Sequence, residues 1–299
     1  MRYLDPKNDL TFKKIFAEHP HLLQSFLNAV LPLKPDQRIV SLQYLPAELT
    51  PQVPLFKHTI VDVRCTDQLG RQFIVEMQML WTDSFKSRVL FNASKAYVKQ
   101  LDKGQRYHSL QPVYALSLVN ENFEKNTSEY YHHYQIVNIE YPAQQLEGLE
   151  FVFVELPKLK AKNLKEKALG VLWLRFLAEI ENRTEQVSDD FQLDPDLREA
   201  LEILEESAFS REELDRYDRY WDTIISEQSL IEDAERKGRT EGYAEGRTEG
   251  RTEGRTEGEQ IGETRKALEM AKNLKLLGVL SNAQIAQITN LSLSQIETI

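Results

Sequence analysis

The sequence predicts an α/β domain followed by an α-helical extension. The first indication is a strand–turn–strand pattern between Lys57 and Met79, where β-branched and aromatic residues flank the turn Asp67–Gly70. A long amphipathic helix should follow over 84–103, because this segment has no Gly or Pro and repeats apolar residues at helical spacing. Three further β-rich runs complete the pattern, at 112–119, 133–139 and 149–155.

Two short helices are expected at the amino end. Asp9 precedes the apolar residues Leu10 and Phe12, and a second apolar set follows over 22–27. The segment 37–55 is punctuated by prolines and predicts one strand. We therefore expect the α/β domain to cover residues 1–162.

The remainder divides by composition into three segments. Residues 163–235 form an acidic helical region, and residues 236–262 carry a glycine at every fourth position. Residues 263–299 regain helical spacing and end in two short helices around a turn at Asn290–Ser292. That end has the spacing of a helix-turn-helix.

The glycine repeat has two interpretations. Arg-Thr-Glu fills most gaps between the glycines, so Arg and Glu are two or six positions apart and lack the spacing of helical ion pairs. Each Gly also costs a helix up to about 1 kcal/mol relative to Ala. These features favour a solvated, flexible linker. The alternative is a glycine-faced helix that lets identical chains approach closely, as in a homo-oligomer.

Charge and cysteine content narrow the class of protein. The net charge is -10, but residues 194–235 alone hold 15 acidic residues and four arginines, so the rest of the chain is near neutral. A polyanionic partner is therefore not excluded.

The single cysteine, Cys65, cannot form an internal disulfide, and the sequence opens without a signal-peptide pattern. The longest apolar stretch carries Arg175 and Glu179 and is shorter than the roughly 20 residues of a membrane helix. We expect a cytoplasmic protein with no membrane contact.

The predicted hairpin brings two acidic residues together. A turn centred near Leu69 places Asp62 opposite Glu76, where cross-strand Cβ atoms lie about 5 Å apart. Two carboxylates at that distance repel each other unless they share a cation, and hard oxygen ligands suit Mg²⁺. Gln78 shares a strand face with Glu76, and its amide could orient a water or a phosphate. The alternative is a set of polar residues on a solvated sheet face.

The predicted long helix carries a row of cations. They lie at spacings of seven, four and four residues, which places them on one helical face as a candidate track for DNA phosphates. The four residues are Arg88, Lys95, Lys99 and Lys103. The alternative is an ordinary solvated helix surface.

Taken together, these motifs resemble the Rpn family of recombination-promoting nucleases and transposases, within the PD-(D/E)xK nuclease superfamily. The matching motifs are Asp9-x-x-Phe12-Lys13-x-x-Phe16, Val61-Asp62-Val63, Glu76-Met77-Gln78, Arg88 with Tyr97 and Tyr107, and Phe151-Val-Phe-Val-Glu155-Leu156-Pro-Lys158. The resemblance spans about residues 1–160. It implies a restriction-endonuclease-like core, in which helices flank a mixed sheet.

The resemblance also implies a metal site. Asp62 and Glu76 would bind Mg²⁺, or Mn²⁺ in its place, with the Met77 carbonyl as a third ligand. Asp9 would correspond to an auxiliary acid on the first helix. Gln78 occupies the position where the superfamily has lysine, so the site lacks that positive charge.

The expected function is metal-dependent endonucleolytic hydrolysis of DNA phosphodiester bonds, in recombination, mobile-element biology or defence. The alternative is a catalytically weak or inactive nuclease fold that binds DNA or self-associates through its carboxyl-terminal tail.

Overall fold

The computed structural model describes residues 1–45, 60–82, 84–101, 106–159 and 169–299, with residues 60–62 described by their backbone alone. The chain divides into two compact units, Met1–Ser229 and Leu230–Ile299. None of the helices in the described part of the chain has both the length and the apolar composition of a bilayer-spanning segment.

A six-stranded mixed sheet lies at the centre of the first unit. Its strands are β1 (Leu42–Tyr44), β2 (Ile60–Asp67), β3 (Gln72–Gln78), β4 (Val113–Val119), β5 (Tyr131–Val137) and β6 (Gln145–Glu155). They are arranged in the order β1-β2-β3-β4-β6-β5. The central strands β3, β4 and β6 are parallel, and the outer pairings are antiparallel. The predicted strands are thereby confirmed within the described residues.

The first unit also contains the helices α1 (Asp9–Phe16), α2 (Pro20–Val30), α3 (Phe85–Val98), α4 (Leu169–Glu179), α5 (Pro195–Leu204) and the start of α6 (Arg211–Leu277). The second unit contains the rest of α6, together with α7 (Asn282–Thr289) and α8 (Leu293–Glu297). Helix α3 packs on β4 and β6, where Val89 and Ala93 share a buried cluster with Ile74 and Phe153. Helices α1 and α2 contact β2 and β1. The arrangement is a restriction-endonuclease-like α/β fold, as the sequence predicts.

The turn of the β2–β3 hairpin is held by one carboxylate. Asp67 Oδ1 accepts hydrogen bonds from the N–H groups of Leu69 (3.0 Å) and Arg71 (2.9 Å), and its Oδ2 accepts from the Arg71 side chain at 2.8 Å. Gly70 has φ +79°, a conformation that favours glycine. The resulting register pairs Asp62 with Glu76, which confirms the predicted pairing.

Most of the predicted acidic helical region lies in the first unit, Met1–Ser229. Helix α4 packs against α2, and α5 packs against α1 and α2. Tyr3 forms β-bridges with both Thr184 and Glu205. The buried Lys7 ammonium donates to the carbonyls of Leu177 and Ile180, each at 3.1 Å. The amino-terminal segment therefore ties these helices to the sheet, a long-range contact that composition alone does not reveal.

The glycine repeat is helical in the structure, whereas its composition favours a flexible linker. Helix α6 runs without interruption through all the glycines between 238 and 262. Helix-forming segments flank the repeat on both sides, and a helix nucleated there extends without a new nucleation cost. A Cβ atom added at these glycines would meet nothing within 4 Å.

The second unit ends in the two short helices that the sequence predicts. Helices α7 and α8 each begin with a capping box, at Ser281 and Ser292, and Asn290 between them adopts a left-handed conformation with φ 57°. Ala271 on α6 packs with Ile285 and Ile296 in a small buried cluster. This cluster explains how so short a pair of helices is held in place.

Candidate active site

The two polar residues of β3 lie deep in the first unit. Glu76 is 2% exposed and Gln78 is 1% exposed, although both alternate with apolar residues on a central strand. Burial of a carboxylate is costly unless specific partners satisfy it. The structure therefore excludes, for these two residues, the alternative of a solvated polar sheet face.

Helix α3 provides partners for both side chains. Asn92 Nδ2 donates to Glu76 Oε1 at 3.3 Å, and Arg88 Nη2 donates to Gln78 Oε1 at 2.7 Å. Arg88 and Asn92 are four residues apart and so share a helical face. Asn92, itself buried, is a site residue that sequence reasoning missed. Its position on the same face as the predicted row of cations is the signal that could have revealed it.

The amide of Gln78 is held at both ends. Its oxygen accepts from Arg88, and its nitrogen donates to the carbonyl of Leu80. The reverse orientation would place the amide nitrogen against the guanidinium, where neither group could accept a hydrogen bond. Gln78 thus presents an amide dipole of fixed orientation at the end of β3.

Arg88 is a cation in direct contact with Gln78. Burial lowers the pKa of its guanidinium, and the negative charge of Glu76 opposes that shift. The group remains a cation at any physiological pH because the pKa of a guanidinium is so high. Its central carbon also lies 4.9 Å from the ring centroid of Phe85, a cation–π contact.

The cations of the predicted row differ in burial and in contacts. Arg88 is half-buried against Gln78, Lys95 is half-buried, and Lys99 is exposed at the carboxyl end of α3. Lys103 lies outside the described residues. Only the Arg88 end of the row is therefore placed directly beside the residues of β3 by a described contact.

Arg64 is a second buried cation that sequence reasoning missed. It is 4% exposed and pairs in register with Ile74, which belongs to the cluster beneath α3. Directly paired residues of antiparallel strands share a face, so Arg64 lies on the α3 side of the sheet, as Glu76 does. Its position two residues after Asp62 is the sequence signal that could have found it.

Asp9 occupies the amino end of α1. Its Oδ1 pairs with Lys13 Nζ at 2.6 Å, and both residues line a cavity of about 660 Å³ together with Arg219 and Tyr220 of α6. The described ion pair of Asp9 thus lies within α1, and the cavity that it lines extends to α6. Its role as an auxiliary acid stays a prediction.

Cys65 lies within the core, as predicted. It is fully buried on β2, and burial raises the pKa of its thiol to about 12. A thiol in this state is not a nucleophile at neutral pH.

The donor set at the β2–β3 pair suits a hard divalent cation. Glu76 contributes a buried carboxylate, and the register places Asp62 opposite it, although the Asp62 side chain lies outside the described atoms. Carboxylate and main-chain carbonyl oxygens fit Mg²⁺ or Mn²⁺ better than softer metals. Among the described side chains, no group of three or more His, Cys, Asp or Glu residues converges. Asp62 is therefore needed to complete the predicted site.

Comparison with known proteins identifies the family of this chain. The chain matches a family model described as PD-(D/E)XK nuclease family transposase over residues 6–234, which cover the sheet, α1 to α5 and the start of α6. No curated protein and no solved structure matches the chain. The matched region exceeds half of the sequence and contains every described residue of the candidate site. The chain belongs to the PD-(D/E)XK nuclease family transposases.

Proposed function

We propose that this protein is a divalent-metal-dependent endonuclease that hydrolyses phosphodiester bonds in DNA. The observation that carries the proposal is the buried Glu76 carboxylate on the central strand β3, paired in register with Asp62 and bordered by Arg88 of α3. Family membership supports a nuclease-type function. The metal, the endonucleolytic mode and the DNA substrate are the parts that we propose.

The carboxylates of Asp62 and Glu76, with the Met77 carbonyl, would hold Mg²⁺ or Mn²⁺. When bound, such a metal polarises a phosphate and lowers the pKa of a water molecule. Asn92 orients Glu76 by donating to one of its carboxylate oxygens. Gln78, held by Leu80 and Arg88, would orient the attacking water or the phosphate.

The reaction is a hydrolysis. The water oxygen forms a bond to phosphorus, the bond from phosphorus to one bridging ester oxygen breaks, and that oxygen leaves as a hydroxyl after gaining a proton. The water loses a proton in the same process. The protein's contribution is to position the phosphate and to stabilise the negative charge that develops on its oxygens.

DNA is the proposed partner, with the exposed face of α3 as the contact surface. Lys95 and Lys99, and Lys103 beyond the described part of this helix, follow Arg88 at helical spacing and would bind successive phosphates. We place self-association in the carboxyl-terminal unit. The protein would act in the cytoplasm in recombination, mobile-element biology or defence.

The test is cleavage of supercoiled plasmid by the purified chain in Mg²⁺, Mn²⁺ or EDTA. We expect metal-dependent nicking or linearisation that Asp62→Ala and Glu76→Ala each abolish. Glu129→Ala, which removes an exposed acid of a loop, is the matched control and should cut like the wild type. Persistent cleavage by folded Asp62→Ala would contradict the proposal.

One observation favours a second candidate function. Gln78 replaces lysine and its amide is held at both ends, which is compatible with an inactive fold that binds DNA without cutting it. Under this candidate, the wild type would retard DNA in a gel in every metal condition and leave the plasmid intact.

A further inference from the structure

We propose that Arg88 supplies the positive charge that Gln78 lacks, and that its guanidinium contacts the scissile phosphate in the transition state. The inference rests on the proposed function, because it assigns a catalytic residue to that same site. From the sequence, Arg88 is expected only to bind a DNA phosphate, as the first of four cations on α3. The present proposal gives it a role in the chemical step.

The position of Arg88 carries the first part of the argument. Its Nη2 donates to Gln78 Oε1 at 2.7 Å, so the cation lies at the side chain that stands in the lysine position. The negative charge of Glu76 acts on the same guanidinium. Arg88 therefore contacts the strand position where a lysine would contribute its charge and lies within electrostatic range of the proposed metal ligand Glu76.

The incomplete hydrogen bonding of Arg88 carries the second part. Its Nε is buried and has no hydrogen-bond partner among the described residues. A guanidinium carries five N–H donors, and a buried donor that is left unsatisfied destabilises the protein. The structure holds the cation in place through Gln78 and the Phe85 ring while leaving donor capacity unused. A phosphate group would use that capacity, since a guanidinium can donate two parallel hydrogen bonds to two oxygens of one phosphate.

The chemistry limits what Arg88 can do. A guanidinium stays protonated at physiological pH, so Arg88 would act neither as general acid nor as general base. It would stabilise the negative charge that develops on the non-bridging phosphate oxygens as the water attacks. That contribution appears in kcat. Exposed Lys99 would instead attract DNA before the reaction and would affect KM.

The experiment compares Arg88→Ala with Lys99→Ala, two cations eleven positions apart on the same helical face. We expect Arg88→Ala to lower kcat about 100-fold, with KM changed less than about threefold. Lys99→Ala should raise KM and leave kcat within about threefold of the wild type. Arg88→Lys, which keeps the charge and disturbs packing least, should retain more activity than Arg88→Ala.

A rescue variant separates a catalytic charge from a positioning role. Gln78→Lys combined with Arg88→Ala places an ammonium at the strand position and removes the guanidinium that would repel it. We expect the kcat of this double variant to be at least about tenfold higher than the kcat of Arg88→Ala. If Arg88 only positioned the Gln78 amide, the double variant would stay as inactive as Arg88→Ala.

A binding measurement supplies a readout that does not depend on cleavage. Arg88→Ala removes a cation near Glu76, so it should tighten Mn²⁺ binding to the DNA-free protein severalfold. Electron paramagnetic resonance of free Mn²⁺ measures this affinity. Lys99→Ala should leave the Mn²⁺ affinity unchanged. Equal Mn²⁺ affinity in Arg88→Ala and the wild type would overturn the proposed placement of the charge.

The outcomes distinguish this inference from the proposed function. If the wild type cuts, Asp62→Ala does not, and Arg88→Ala alters only KM, the assignment of Arg88 is wrong and the nuclease stands. If the folded wild type cuts in neither metal, the nuclease proposal fails and the catalytic role of Arg88 fails with it. Should Arg88→Ala be misfolded by circular dichroism, the kcat of Arg88→Lys and of Arg88→Gln decides, because only the lysine variant keeps the charge.

Discussion

The two compact units differ in the burial of their ion pairs. In the first unit, the Asp5–Lys7 ion pair joins side chains that are each 5% exposed, at 2.9 Å. In the second unit, Arg255 and Glu259 pair at a similar 2.9 Å, but their side chains are 81% and 63% exposed. A buried charge needs specific partners, whereas an exposed charge is satisfied by water. The first unit therefore contains buried ion pairs with a structural role, whereas the described ion pairs of the second unit are exposed.

The first unit itself contains two kinds of buried charge. The fully buried Glu155 carboxylate accepts from Lys158 Nζ at 2.7 Å and from the Phe123 N–H at 2.8 Å, and pairs with His132 Nε2 at 2.8 Å. Arg88, by contrast, keeps a buried donor without a hydrogen-bond partner among the described residues. A saturated group stabilises the fold, and an incompletely saturated group is suited to a ligand.

The largest effect on stability is expected from Glu155→Ala. Removing the carboxylate leaves Lys158 and the Phe123 N–H without their buried acceptor, which should lower the free energy of unfolding by about 3–5 kcal/mol. Urea denaturation followed by tryptophan fluorescence measures this change. Glu257→Ala, at an exposed position of α6, is the control and should change stability by less than about 0.5 kcal/mol. Similar effects of the two substitutions would break the comparison between the units.

A gain in stability is expected from replacing three glycines of α6. Gly246, Gly250 and Gly254→Ala should each stabilise the helix by up to about 1 kcal/mol, because Ala has the higher helix propensity and the added Cβ meets nothing. Thermal melting followed by circular dichroism at 222 nm should show a higher midpoint. A lower midpoint together with a smaller assembly in analytical ultracentrifugation would instead indicate that a second chain packs against the glycines.

A smaller loss is expected at the start of α7. Ser281→Ala removes a side chain that accepts from the Gln284 N–H, and it should destabilise the end of the chain by about 1 kcal/mol. Amide hydrogen exchange over 282–297 should become faster while exchange in the sheet stays the same. Gln287→Ala, in the same helix and outside the capping box, should leave both unchanged. Faster exchange in the sheet would show that the two units are not energetically separate.

The smallest effect concerns pH. Hydrogen bonds from Lys14 and from Ser210 lower the pKa of Glu213 to about 2. A carboxyl group with a lowered pKa stabilises the folded state above its unfolded pKa of about 4.3, and this contribution disappears as the pH falls toward 2. The Lys14–Glu213 pair is near the surface, so we expect about 0.5 kcal/mol. Glu213→Gln should reduce the loss of stability between pH 5 and pH 2 in acid titrations. An identical acid profile in both proteins would show that the pair contributes nothing.

The hairpin was predictable from sequence because its signals are local. Alternation and the Asp67–Gly70 turn together determine which residues face each other, and the observed pairing of Asp62 with Glu76 follows from them. The contribution of α3 was only partly predictable. Its apolar spacing indicated an amphipathic helix, but the contacts of Arg88 and Asn92 with β3 depend on how that helix docks on the sheet.

Two other features depended on context that sequence patterns lack. Helices α4 and α5 join the first unit through Tyr3 and Lys7, which are about 170 to 200 residues away along the chain. The glycine repeat has poor intrinsic helix propensity, yet it continues the helix begun in the segments around it. Propensity describes each residue alone, and a continuous helix depends on its neighbours.

The Asp67 turn also limits how this hairpin can change in length. Asp62 and Glu76 are fourteen positions apart, and the turn between them decides which residue of β3 meets which residue of β2. One extra residue on a single strand, with the same turn, would shift the pairing by one and move a proposed metal ligand to the opposite face of the sheet. Additions matched on both strands would preserve the pairing. Natural insertions or deletions between these two acids should therefore occur with equal length on both strands. Deletion of one residue from a single strand should abolish the proposed metal binding even in a folded protein.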